Sequence, residues 1–250
     1  MVVTTAGPVG VRGEAPSLSG LSAASGLLVD ATPQDVLRWA IEAYAPKLTM
    51  ATAFGPEGCV LLHMIAEMGE VGSVRVFNLD TGYQFAETLE MRDRIARRYG
   101  IEVELVGHPS TVAEYEAAND GPVYLVDSNR CCAERKLGPL RRAVEGYDAW
   151  ISAIRADQSA HRAVADVVGW DAKFGLVKVN PLLRWTRRDV WAFLVTHGVP
   201  YNPLHDRGYP SIGCWPCTKA VADGDDERAG RWAGQAKTEC GLHSLDSSQL

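Results

Sequence analysis

Four of the six cysteines in this chain fall into two close pairs. Cys131 and Cys132 are adjacent, and Cys214 and Cys217 flank a Trp-Pro dipeptide. Four cysteinates can hold a tetrahedral Zn²⁺ or an iron–sulfur cluster. Adjacent cysteines point their side chains apart unless the backbone is distorted, so reaching one small ion with both is awkward. The iron corners of a cubane are spread over a larger body, and neighbouring residues reach different irons more easily. Spacing therefore favours iron–sulfur over zinc. It also permits unrelated thiols, a vicinal pair at a helix start and a redox Cys-x-x-Cys. Cys240 stands apart in Lys-Thr-Glu-Cys-Gly-Leu-His, with Lys237 before it and His243 after it. A nearby cation favours the thiolate, the nucleophilic form; the competing reading is an incidental cysteine. Cys59 sits in an apolar helical run and reads as core.

The cations come next. Lys136 is one helical turn beyond Cys132, and Arg155 follows an apolar strand. Arg228 and Arg231 are three apart and share a face if that piece is helical. Arginine suits bidentate recognition of phosphate or sulfate. Singly, each of these is also an ordinary surface charge. Only convergence on one pocket makes them an anion site.

The elements that must position these residues alternate between strand and helix. Thr32-Pro33 opens an amphipathic helix, with Thr as cap and Pro at the first helical position. Strands are expected at 48–54, 74–79, 101–106, 149–154 and 176–179. Helices are expected at 60–68, 84–99 (stopped by Gly100), 133–144 and 186–197. Thr186 and Asp189 occupy capping-box positions in the last of these, and Gly198 follows it. Alternation of this kind implies an α/β fold with a parallel sheet covered by helices. Ligands on such sheets sit at the carboxyl ends of the strands. The candidate site loops are therefore those after residues 54, 79 and 154. From about Pro200 the chain turns dense in Pro, Gly, Cys and Trp, which reads as an irregular C-terminal region. Residues 1–30 read as a flexible tail, 31–243 as one domain, and 244–250 as a short polar tail.

The bulk numbers agree. Two hundred and fifty residues, 46% of them hydrophobic, suffice for one large α/β core. The net charge of −6 gives no support to wholesale nucleic-acid binding. No apolar stretch approaches the ~20 residues of a membrane span, and no basic start leads into an apolar signal region. The expectation is a cytoplasmic protein whose thiols stay reduced, with neither nucleic acid nor membrane as partner.

Taken together, six segments resemble the assimilatory adenylyl-sulfate reductases, the iron–sulfur branch of the adenylyl-sulfate/phosphoadenylyl-sulfate reductase family. They are Leu-Asp-Thr-Gly at 79–82, Arg-Cys-Cys-Ala-Glu-Arg-Lys at 130–136, Arg-Ala-Asp-Gln-Ser at 155–159, Ser-Ile-Gly-Cys-Trp-Pro-Cys-Thr at 211–218, Glu-Arg-Ala-Gly-Arg-Trp at 227–232 and the Cys240 segment. The resemblance covers residues 32–243 and implies a Rossmann-like sheet of the adenine-nucleotide α-hydrolase-like type. It implies that Cys131, Cys132, Cys214 and Cys217 hold a [4Fe–4S] cluster. Cys240 would be the nucleophile. Lys136, Arg155, Arg228 and Arg231 would line the phosphosulfate pocket, with His243 assisting. Thr52, Leu79 and Gly82 would help to hold the nucleotide. Relatives that take only the 3′-phosphorylated substrate generally lack the four cysteines, so adenylyl sulfate is the expected substrate, AMP the product, and thioredoxin or a similar dithiol the reductant.

The chain departs from related ATP pyrophosphatases. Their Ser-Gly-Gly-x-Asp-Ser loop, which cradles pyrophosphate through backbone N–H groups, is replaced by Thr-Ala-Phe-Gly-Pro-Glu-Gly at 52–58. ATP activation is disfavoured, and with it an iron–sulfur tRNA-thiolating role. A phosphoadenylyl-sulfate or dual-specificity reductase is the near alternative. An iron or redox sensor is the distant one, and it leaves the cation set unexplained.

Overall fold

The structure is a computed structural model that describes residues 17–222, 224–235, 237 and 241–242. In chain order the helices are α1 (Leu18–Leu28), α2 (Pro33–Tyr44), α3 (Pro56–Glu67), α4 (Ala86–Tyr99), α5 (Val112–Ala117), α6 (Val123–Val126), α7 (Ser128–Cys132), α8 (Gly138–Val144), α9 (Ala160–Ala163) and α10 (Arg187–His197). The strands are β1 (Leu48–Ala51), β2 (Arg75–Asp80), β3 (Val103–Gly107), β4 (Ala149–Ile151), β5 (Val168–Asp171) and β6 (Leu176–Val179).

The six strands form one sheet in the order β3-β2-β1-β4-β6-β5. Every pairing is parallel except β5 with β6, which form an antiparallel hairpin at the edge. The expected α/β class and parallel sheet are thus present. From β1 the chain crosses to β2 on one side, while β4 lies on its other side, so a crevice opens between the ends of β1 and β4. That is the switch point where sheets of this kind bind ligands.

Local sequence accounts for the main boundaries. Thr32 accepts a hydrogen bond from the Asp35 N–H, and Pro33 occupies the first turn of α2. Thr186 and Asp189 form the expected capping box of α10, and Gly198 closes it with φ 58°. Gly100 ends α4 with φ 66°. Strands β1 and β4 are shorter than the residue pattern suggests, because Thr52 to Gly55 and Ser152 to Arg155 leave the sheet to build the crevice walls. Pro56 stands at the start of α3, where a missing N–H is harmless. Helix α3 is buried on nearly every side, and Cys59 is fully buried within it, as expected for a core cysteine.

One expectation needs correction. Residues 1–30 do not form a structureless tail throughout: Leu18–Leu28 is a helix capped by the Ser17 hydroxyl, which accepts from the Gly20 N–H. Leu21, Ala24 and Leu28 join the main core, and the Val168 N–H of β5 donates to Ser25 Oγ at 3.4 Å. Small residues hid this helix. Its apolar face consists partly of Ala and Ser, which carry little periodic signal. The short elements α5, α6, α7, α9 and β5 were also absent from the expected series.

Because Leu21 is only 2% exposed, Leu21→Ala is expected to lower unfolding free energy by about 2 kcal/mol or more. Denaturant unfolding checks this, and an unchanged midpoint contradicts the docking of α1.

Candidate active site

The loop after β1 is held by a chain of hydrogen bonds. The Thr52 N–H donates to the Phe77 carbonyl at 2.9 Å, and Thr52 Oγ1 accepts from the Phe54 N–H at 3.0 Å. Asn78 Nδ2 donates to the Thr52 carbonyl at 2.7 Å, and Gln84 Nε2 in turn donates to Asn78 Oδ1 at 2.8 Å. Phe54 is buried with φ 55°, a left-handed conformation that an aromatic residue rarely adopts. Such conformations persist where the surroundings over-determine them, often at functional sites.

Above this loop lies a cavity of about 200 Å³. The ends of β1 and β4 supply Thr52, Ala53, Ser152 and Ile154, the end of β2 supplies Leu79, and the first turn of α3 supplies Glu57. Three of the anticipated cations line it: Lys136, Arg228 and Arg231. They come from two stretches about 90 residues apart in sequence, and the fold brings them together.

A second, smaller cavity adjoins the first. Cys131, Cys132, Cys214 and Cys217 all line it, together with Tyr83, Tyr124 and Pro216. Lys136, Thr81 and Cys214 line both cavities. Thr81 Oγ1 lies 3.2 Å from Cys214 Sγ. Burial, and then the neighbouring cysteines, push the Cys131 thiol up to about 12 and the Cys217 thiol up to about 11. Among the described residues no three His, Cys, Asp or Glu side chains are grouped as ligands of a single metal ion, and no described cysteine is in a disulfide.

The cysteine helix is shaped by an irregularity. Where one continuous helix over 133–144 is expected, Ala133–Leu137 forms a π turn between α7 and α8. Such a turn inserts an extra residue and is common at functional sites. It carries Lys136 at the cavities and turns Arg135 inward, where it is 3% exposed. Arg135 Nε donates to the Thr81 carbonyl at 2.6 Å, and its guanidinium lies over the Tyr83 and Tyr115 rings. Gly82 sits beneath this contact with φ 76°. A Cβ there would lie 2.5 Å from Val112 Cγ2 and 2.9 Å from Arg135 Nη2. Gly82 is thus packed against the cysteine helix, and it is not among the cavity-lining residues.

Arg155 is placed differently from the expectation. It is 1% exposed and lies behind the cavity wall, ion-paired with Glu57, with Asp157 at 2.8 Å and with Glu227 at 3.0 Å. Three carboxylates therefore occupy a guanidinium expected to meet the sulfate. Cys240 and His243 lie outside the described residues. Their chain neighbours are placed: Leu242 lines the cavity, and the Gly241 carbonyl accepts from Lys173 Nζ at 2.5 Å. Gly241 has φ 78°, and a Cβ there would lie 3.1 Å from Leu137 Cδ1.

Several lining residues were not singled out in advance: Gln84, Ser152, Gln158, Arg162 and His205. Gln158 was within reach, since it belongs to the Arg-Ala-Asp-Gln-Ser segment. Arg162 and His205 gave no spacing signal, because each enters from a short element.

The sheet order and the switch-point cavity define an adenine-nucleotide α-hydrolase-like fold. FMN adenylyltransferase from Candida glabrata shares it, with a TM-score of 0.55 at 15% identity over 87% of this chain and 72% of that one. The phosphoadenosine phosphosulfate reductase domain model matches residues 47–220, and the chain belongs to that reductase family. It is 45% identical to a phosphoadenosine 5′-phosphosulfate reductase of Gloeobacter violaceus, over 86% of this chain and 90% of the relative. It is 44% identical to an adenosine 5′-phosphosulfate reductase of Shouchella clausii, over 84% of this chain and 87% of the relative. Phosphoadenylyl-sulfate reductase from Candida auris, solved as a phosphate complex, superposes with a TM-score of 0.73 at 27% identity, covering 86% of this chain and all of that one. Among the described residues no helix is long and apolar enough to cross a membrane.

Burial lowers His205 to about 4. An unfolded histidine takes up its proton near pH 6.5, so between pH 6.5 and 4 the unfolded chain binds more protons. Stability is therefore expected to fall as pH falls through that window, by about 2 kcal/mol at pH 5 from this group. Urea unfolding at pH 7 and pH 5 measures the loss, and His205→Gln should reduce it. An equal loss in that variant contradicts the assignment.

Proposed function

We propose that this chain reduces adenylyl sulfate to sulfite and AMP, drawing two electrons from thioredoxin or a similar dithiol, as a step in sulfate assimilation. The observation that carries this reading is the convergence of Lys136, Arg228 and Arg231 on a cavity at the nucleotide end of the sheet, with Leu242, two residues after Cys240, at its wall. The four cysteines beside that cavity favour adenylyl sulfate over the 3′-phosphorylated form, although relatives bearing either name lie at similar identity.

The chemistry follows from charge. The Cys240 thiolate attacks the sulfur of adenylyl sulfate. An S–S bond forms, the bond from sulfur to the bridging oxygen breaks, and AMP leaves with the electron pair. The enzyme then carries Cys–S–SO₃⁻. A thiolate of the reductant attacks Cys240 Sγ and frees sulfite; its second thiol resolves the mixed disulfide, restoring Cys240 and leaving the reductant oxidised. In the first step an anionic nucleophile meets an anionic sulfate while charge grows on the departing phosphate. Preorganised cations lower both costs, commonly as the largest catalytic contribution. Lys136, Arg228 and Arg231 supply this charge, with His243 assisting. Thr52 and Leu79 contact the nucleotide. Arg155 acts from behind the wall.

Cys131, Cys132, Cys214 and Cys217 suit a [4Fe–4S] cluster. Four thiols line one cavity, as a cluster held by all of them requires. Such a cluster supplies a fixed local field and a tie between α7 and the Cys214 loop, since the dithiol provides both electrons. Lys136, Thr81 and Cys214 line both cavities, and Lys136 is the cation among them.

Cys240→Ser is expected to keep the brown absorbance of the cluster yet form no S-sulfo adduct on incubation with adenylyl sulfate; intact-mass spectrometry reads the adduct, and its retention refutes the nucleophile. Lys136→Ala should lower the rate of adduct formation by ~10²–10³ in single-turnover measurements. A loss of less than about threefold contradicts its role.

A further inference from the structure

The ion cluster around Arg155 joins four separate pieces of chain. Glu57 comes from the first turn of α3, and Asp157 from the turn after β4. The second oxygen of Asp157 accepts from the Arg187 N–H at 3.1 Å, which ties in the start of α10. Glu227 arrives from the C-terminal region, 72 residues away in sequence. Gln158 adds a second tie, since its Nε2 donates to Glu57 and its Oε1 accepts from the Arg155 N–H.

Glu227 is the odd member. It lines the cavity alongside Arg228 and Arg231. A carboxylate beside an anion site opposes binding unless its charge is matched, and Arg155 matches it. The following residues are fixed on their other side. The Lys219 N–H donates to the Gly230 carbonyl at 2.9 Å, and the Trp232 N–H donates to the Cys217 carbonyl at 3.0 Å. A Cβ on Gly230 would lie 2.1 Å from the Lys219 carbonyl oxygen, and one on Gly213 would lie 2.2 Å from Arg231 Nη2. Gly230 to Trp232 are thus set against the cysteine loop, while Glu227 is set against the sheet. Arg228 lies within the span between these two attachments, and Arg231 at its far end.

We infer that Glu227 is a positioning residue: its ion pair with the buried Arg155 holds the 227–232 segment so that Arg228 and Arg231 face the anion. This rests on the reading that those two arginines bind the phosphosulfate group. Glu227 touches no substrate atom in this scheme. It sets where two substrate-binding cations stand.

The test is a double-mutant cycle on the full chain with its cysteine site loaded, reading the KM for adenylyl sulfate and kcat. Glu227→Ala should raise KM roughly tenfold, with a smaller change in kcat. Glu227→Gln, which keeps a hydrogen-bond acceptor for Arg155, should recover most of the loss. Adding Glu227→Ala to the Arg228→Ala/Arg231→Ala variant should weaken binding no further, because the two contacts it positions are already gone. If the alanine variant folds poorly, Glu227→Asp, whose shorter side chain breaks the 3.0 Å contact with Arg155, takes its place. Full additivity, or an unchanged KM in Glu227→Ala while Arg228→Ala is impaired, overturns the positioning role. An unchanged KM in both Arg228→Ala and Arg231→Ala instead overturns the anion-pocket reading on which it rests.

Discussion

A guanidinium removed from water is costly, by several kcal/mol, unless its charge and its donors are all matched. Arg155 meets that condition by drawing in Glu57, Asp157 and Glu227. Glu57 and Glu227 line the cavity from α3 and from the C-terminal region, and Asp157 ties in the start of α10, so satisfying one buried charge joins three pieces of chain. Loss of one partner would leave a guanidinium N–H of this buried side chain without its acceptor, which is costly in the interior. The shape of the cavity therefore depends on electrostatic closure behind it as much as on the apolar core beneath it.

The same logic divides the cations by depth. Arg135 and Arg155 are buried and hold the scaffold: one fixes the cysteine helix to the turn after β2, the other fixes the walls around β4. Lys136, Arg228 and Arg231 line the cavity itself. Adjacent residues can have opposite duties because the π turn at 133–137 rotates Arg135 inward and leaves Lys136 at the boundary between the two cavities. A regular helix would space these side chains differently.

Much of this was legible in the sequence. Thr32-Pro33, the Thr186–Asp189 box, Gly100 and Gly198 mark helix ends through local chemistry, and their elements fall where expected. The strands were visible as apolar runs, and their alternation with helices gave the class. The grouping of Cys131, Cys132, Cys214 and Cys217, and of the cations, was implied by the family resemblance and not by spacing alone, and the fold brings the four cysteines and three of the cations to adjoining cavities. What escaped were features set by tertiary context. The resemblance placed Arg155 in the anion pocket, but Glu57, Asp157 and Glu227 claim its guanidinium, and two of these acids are distant in sequence. Gly82 looked like a nucleotide-loop residue, yet the close approach of Arg135 and Val112 is what requires a glycine there. Helix α1 carried too weak a periodicity to be read, and its stability comes from docking on β5.

The account stands on sulfur chemistry at this cavity, and product analysis addresses that most directly. Purified chain with full iron and sulfide content is incubated with adenylyl sulfate, thioredoxin and a reductant that regenerates it, without ATP, and sulfite and AMP are quantified. The prediction is equimolar sulfite and AMP through many turnovers. AMP without sulfite, or sulfite formed only from the 3′-phosphorylated nucleotide, would contradict it.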